Sequence, residues 1–211
     1  MSDEIAFYTN PMSRGQIVRW MLEEVGAPHR QVILDYASSM KGEDYLKINP
    51  MGKVPAIVHH GSVVTECAAI CAYLAHAFPE AKLTPEPDAI ADYCRWLFFT
   101  AGPVEQAITD RSLKVEPTED QQRMVGYGSY ERVIDVLESA VAGKAFVAGN
   151  RFTAADVYVG SHIIWGTQFG TMPKRDAFTA YIEPLMARAA YLKAKAIDDA
   201  LIAEIQAEQP A

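Results

Sequence analysis

The chain is short of cysteine. Its 211 residues include three, Cys67, Cys71 and Cys94, and none stands before Cys67. Three thiols in a chain this long do not make a disulfide framework, so a reducing compartment is expected. Cys67 and Cys71 fall four apart, on one helix face, and read as small buried hydrophobes rather than a metal pair. The five histidines, His29, His59, His60, His76 and His162, show no ligand spacing, and no metal is expected. Positive charge is also short. The formal net charge is -8, whereas a nucleic-acid protein would carry a basic patch or stripe. No apolar run reaches the roughly 20 residues of a membrane span. Met1-Ser-Asp-Glu opens acidic, without the regions of an export signal. The expectations are therefore a cytoplasmic protein with no nucleic-acid or membrane partner.

Half of the residues are hydrophobic, enough for a core of ordinary size. The first part alternates strands with helices. Ile5-Ala-Phe-Tyr is β-rich. Residues 14–26 space Ile17, Val18, Met21, Leu22 and Val25 as on a helix, and Gly26 stops it. Gln31-Val-Ile-Leu is a second strand, Asp44 to Ile48 a short helix, Val54 to Val58 a third strand and Ser62-Val-Val-Thr a fourth. His60-Gly61 between the last two is a hairpin turn. Glu66 to Phe78 is a helix with Ala69, Ile70, Tyr73 and Leu74 on its apolar stripe. The order βαβαββα predicts a mixed four-stranded sheet, parallel at its start and antiparallel at its final hairpin.

Pro79 to Asp88 carries three prolines and interrupts regular structure, which marks it as a linker. Beyond it no comparable strand pattern appears. Helices are expected over about 89–109, 118–142, 153–170, 176–190 and 193–208, with Gly126 and Gly128 weakening the second. The domains are then 1–78, α/β, and 89–211, all-α, joined by 79–88.

Three linked motifs stand out. Asn49-Pro-x-Gly-Lys-Val-Pro55 enters the third strand. Val64-Thr-Glu-Cys-Ala-Ala-Ile-Cys-Ala-Tyr-Leu74 crosses from the fourth strand into its helix. Gly149-Asn-Arg-Phe-Thr-Ala-Ala-Asp156 opens a helix in the second part. In the last, Thr153 can accept from a first-turn amide while Asp156 reaches back to the Thr153 amide, a capping box. In order and spacing, across the whole chain, these motifs resemble the cytosolic glutathione S-transferase family. The resemblance implies a thioredoxin-like first domain, an all-helical second domain and a two-fold homodimer.

It also implies a glutathione site. Pro55 sits in a strand, where it can donate no ladder hydrogen bond. In the family this proline is cis, and the backbone before it, here Val54, pairs with the cysteinyl part of glutathione as an added strand. Glu66 would take the γ-glutamyl ammonium and the Cys67 amide its carboxylate. The family usually has serine at 67, and a thiol is a weaker donor. A reactive Cys67 is the other reading of that position. Lys41 and Lys53 match positions that face the glycine carboxylate, though Lys41 also reads as a solvated lysine.

A free thiol has pKa ~8.5. Lowering it by two units takes ~2.7 kcal/mol, and a hydrogen bond to a charged group supplies about 1.5–3 kcal/mol. One hydroxyl at the first helix start therefore suffices. Ser13 is the candidate, which makes this a serine-type rather than cysteine-type member. Asn10 and Tyr8 are its alternatives, Arg14 is a further thiolate stabiliser, and a plain N-cap is the bland role for Ser13. With no cysteine in that loop, disulfide exchange lacks its nucleophile. The implied activity is attack of glutathione thiolate on a hydrophobic electrophile, bound between the domains against Met12, Trp96 and Phe99. The two aromatics also read as core or dimer surface. A glutathione-dependent peroxidase or reductase, or a non-catalytic module of this fold, are the alternatives.

Overall fold

The computed structural model describes residues 4–208. The extreme ends of both expected domains, 1–3 and 209–211, lie outside it. The chain divides between Thr84 and Pro85 and again after Met186. Pro85–Met186 is one compact unit, and the chain on either side of it forms the other.

The first unit contains β1 (Ile5–Thr9), α1 (Gly15–Val25), β2 (His29–Ile33), α2 (Glu43–Leu46), β3 (Ala56–His59), β4 (Ser62–Thr65) and α3 (Cys67–Ala77), in the expected order. The sheet runs β2-β1-β3-β4. β1 pairs parallel with β2 and antiparallel with β3, and β3 pairs antiparallel with β4. This is a thioredoxin-like sheet with apolar residues on both faces. Phe7 lies under the Arg19 guanidinium of α1, and Ile17, Met21, Leu22, Ile70 and Leu74 are fully buried. Side chains alternate along a strand, so Tyr8 takes the opposite face. There it packs against Leu34, Met40, Tyr45 and Ala56.

The first unit departs from the sequence reading in one strand start and in one added helix. The third strand begins at Ala56, not Val54, because Pro55 has no N–H for the ladder. The last helix, α9 (Ala189–Glu208), packs with the first unit although it was expected in the helical domain. Asp198 explains this: its Oδ1 accepts from Arg19 Nε at 2.8 Å, with both side chains almost fully buried. Trp20 meets Tyr191 edge-on at 5.0 Å, and Arg188 takes both carboxylate oxygens of Glu24.

The second unit is helical: α4 (Ile90–Phe99), a π turn (Thr100–Val104), α5 (Glu105–Ser112), α6 (Tyr130–Val141), α7 (Ala154–Gln168) and α8 (Asp176–Met186). The π turn contains Pro103, which has no amide for the helical ladder. The expected helix over 118–142 is confined to 130–141. Gly128 sits at φ +72°, and Ser129 then caps α6 by accepting from the Arg132 amide. Helix α7 is buried nearly all round and forms the centre of this unit. Asp156 in its first turn accepts from Thr153 N at 2.8 Å, Val147 N at 2.7 Å and Tyr181 Oη at 2.8 Å. No helix among the described residues is long and apolar enough to cross a membrane.

Candidate functional site

Strand register assembles the candidate residues. Ala56 lies opposite Tyr8 on one side and Thr65 on the other. Continuing both ladders by one or two residues sets Val54 and Pro55 between the loop after β1 and the start of α3. β2 runs parallel to β1, so Leu34, Asp35 and Tyr36 leave the sheet at the same end. Residues 10–15, 34–36, 54–55 and 66–67 thus share one edge of the first unit.

The Val54–Pro55 peptide bond is cis. Among the described residues the Val54 N–H and C=O make no hydrogen bond. The segment before them is fixed. Tyr45 Oη and Asn49 Nδ2 both donate to the Lys53 carbonyl, the latter at 2.8 Å. Burial pushes the Tyr45 phenol up to about 12, which keeps it a neutral donor. Tyr45 and Asn49 are four apart, one helical turn, a signal the sequence reading passed over. Lys41 Nζ donates to the Gly52 carbonyl at 2.6 Å and so helps hold the same segment. The Lys53 ammonium is exposed and unpaired among the described residues.

Glu66 takes φ +65°, ψ 118°, a conformation unusual for a residue with a Cβ. Its carboxylate is exposed and has no partner among the described residues. Among the described residues no side chain caps α3, and the amides of Ala68 and Ala69 are unpaired. An uncapped helix start of this kind attracts carboxylates. The Cys67 thiol is buried and donates to the Arg14 carbonyl at 3.6 Å, which joins the starts of α3 and α1.

The loop before α1 is tightly stitched. A Cβ on Gly15 would lie 1.9 Å from Thr9 Oγ1, so only glycine lets α1 start this close to β1. Ser13 Oγ donates to the Asn10 carbonyl at 2.6 Å and accepts the Gly15 amide at 2.9 Å. Asn10 is committed at both ends of its amide, to Leu34 O at 2.8 Å and Met12 N at 2.9 Å, and is buried. Tyr8 faces Tyr45, with ring centroids 5.5 Å apart, on the face turned away from α1. Trp96 is buried within the helical unit and Phe99 meets it edge-on at 5.7 Å, whereas Met12 is half exposed. The arrangement offers an extended peptide an unpaired backbone, a cation, a carboxylate and an open helix start. No group of three or more His, Cys, Asp or Glu among the described residues could hold a metal ion.

Residues 12–77 match the family model described as "Glutathione S-transferase, N-terminal domain". The chain is 29% identical over 127 residues to glutathione S-transferase GstA of Escherichia coli O157:H7, covering 59% of this chain and 62% of that protein. It is 26% identical over 211 residues to glutathione S-transferase hmp2 of Hypomyces subiculosus, covering 91% of this chain and 98% of that protein. A glutathione transferase homologue from Sulfitobacter, solved with bound glutathione, superposes with a TM-score of 0.73. Its sequence identity is 25%, over 92% of this chain and 98% of that chain. A thioredoxin-like sheet followed by a helical unit, with these likenesses, defines a glutathione-transferase fold. Residues 12–77 match the N-terminal domain of glutathione S-transferases, and the chain is similar to such proteins over most of its length.

Proposed function

We propose that this protein is a glutathione transferase that holds glutathione as thiolate for attack on a hydrophobic electrophile. The unpaired Val54 N–H and C=O carry this reading. They are a ready edge for the cysteinyl part of glutathione. Lys53 faces the glycine carboxylate, with Lys41 bracing its loop. Glu66 receives the γ-glutamyl ammonium, and the open amides at the start of α3 receive its carboxylate. Ser13 supports the thiolate. Its oxygen already accepts the Gly15 amide, and the Asn10 carbonyl also takes Ser13 N at 3.1 Å. The hydroxyl proton can therefore turn from Asn10 to a ligand sulfur without stranding that carbonyl. The thiol proton leaves to water, the sulfur forms a bond to the electrophilic carbon, and the leaving group departs with its electron pair. A homodimer completes the reading, by likeness to the family.

Titration calorimetry with glutathione, followed by parallel assays with an aryl halide and an organic peroxide, tests it. Binding is expected, with aryl-halide conjugation lost about tenfold or more in Ser13→Ala. Absence of heat at millimolar glutathione would overturn the reading. Turnover of the peroxide alone would replace it with a glutathione peroxidase. Full activity in Ser13→Ala with loss in Tyr8→Phe would move the thiolate donor.

A further inference from the structure

The geometry points to Tyr36 as a positioning residue that acts on glutathione through Ser13. This rests on Ser13 being the hydroxyl that meets the thiolate. Tyr36 Oη donates at 3.1 Å to the carbonyl of Met12, the residue before Ser13, which sets the phenol beside the Ser13 hydroxyl. Tyr36 does not come from the α1 loop. It is delivered from the end of β2, 23 residues beyond Ser13.

Its placement is built. Asp35 Oδ1 accepts the amides of Ala37 and Ser38 and the Ser38 hydroxyl, while the Asp35 amide donates to Ser39 Oγ. That turn fixes where Tyr36 leaves the chain. Leu34 N donates to Thr9 O at 2.8 Å and Asn10 Nδ2 donates to Leu34 O. The two loops are thereby laced together just before the tyrosine. The ring is half exposed, so it stands at the rim of the site rather than in the core. The charged group beside it is Arg14 at the start of α1.

Ser13 has one proton. When that proton turns to a sulfur anion, the serine oxygen has room for a second donor besides the Gly15 amide. Tyr36 supplies it by swinging its proton from the Met12 carbonyl to Ser13 Oγ. A hydroxyl that accepts hydrogen bonds donates more strongly, by about 10–30% per bond. It is also held at the angle the sulfur needs. Ser13 touches the sulfur, and Tyr36 makes Ser13 a better donor.

The test is the thiol pKa of bound glutathione, read from thiolate ultraviolet absorbance across a pH titration. Wild type, Ser13→Ala, Tyr36→Phe and the double variant are compared, with kcat and KM measured for each. Tyr36→Phe removes one oxygen from a half-exposed ring, so folding is retained. Ser13→Ala should raise the thiol pKa by about 1–2 units. Tyr36→Phe should raise it by about half a unit and lower kcat about threefold below that pKa, with KM for glutathione unchanged. The double variant should match Ser13→Ala alone. A Tyr36→Phe titration that overlays wild type while Ser13→Ala shifts overturns the role of Tyr36 and spares Ser13. An additive double variant also overturns it, because Tyr36 would then act without the serine. No shift in Ser13→Ala removes the Ser13 reading, and Tyr36 falls with it.

Discussion

Helices α3 and α7 begin in opposite ways. At α7 Thr153 and Asp156 form a capping box, and Asp156 also accepts from Val147 and Tyr181. At α3 Glu66 stands at positive φ, and among the described residues no side chain caps the helix and the amides of Ala68 and Ala69 are unpaired. Both starts follow a short polar stretch in the sequence. One is finished from within the protein, and the other is open where the proposed ligand carboxylate would sit. A closed start stabilises the fold, and an open one forgoes that stability to keep donors available.

The largest expected effect comes from opening the closed start. Asp156→Ala strands the Val147 and Thr153 amides and the Tyr181 hydroxyl in the core. A loss of about 3–4 kcal/mol in urea unfolding is expected. Glutathione affinity of the folded fraction should not change.

Asp198 sharpens the contrast among buried acids. Among the described residues it pairs with Arg19 alone, and its Oδ2 has no partner. Burial raises its carboxyl to about 6, against the opposing pull of Arg19. The unfolded value is about 3.9. Between these values the folded state binds more protons, so this group lowers stability as pH rises from 4 to 6, by up to ~3 kcal/mol. Subtracting the Asp198→Asn profile from wild type should reveal that slope, and identical profiles would contradict it.

Relieving the strain at the open start should split stability from binding. Glu66→Gly removes a strained Cβ and should raise stability by about 1 kcal/mol. It should weaken glutathione about tenfold by removing the ammonium partner. Thermal melts and calorimetry on the same sample check both signs. Thr153→Ala is the smallest change. It should lower stability by ~1 kcal/mol with no change in glutathione affinity, and a matching loss of affinity would erase the distinction between the two starts.

Much of this was legible in the residues. Periodicity gave the order of β1 to α3, and the Thr153–Asp156 spacing gave the cap. The cis bond at Pro55 came from the family resemblance rather than from any local signal. Local pattern failed where partners are distant. Arg19 sits among apolar neighbours on α1, and nothing nearby announces Asp198. The stretch 118–129 has enough helix formers to look helical, yet Gly128 and the Ser129 cap move the start to Tyr130. Tyr36 was invisible as a site residue because its role depends on β2 ending beside β1.

The return of α9 to the first unit also sets an order of assembly. Pro85–Met186 is continuous in the chain and can close as soon as it has been made. The first unit cannot, because Arg19 pairs with a residue 179 positions later. At about 5–20 residues per second on the ribosome, Arg19 waits roughly 10–40 s for its counter-ion. During that interval the sheet that frames the proposed glutathione site exists without one wall, and the half that carries the proposed chemistry is the last to become whole.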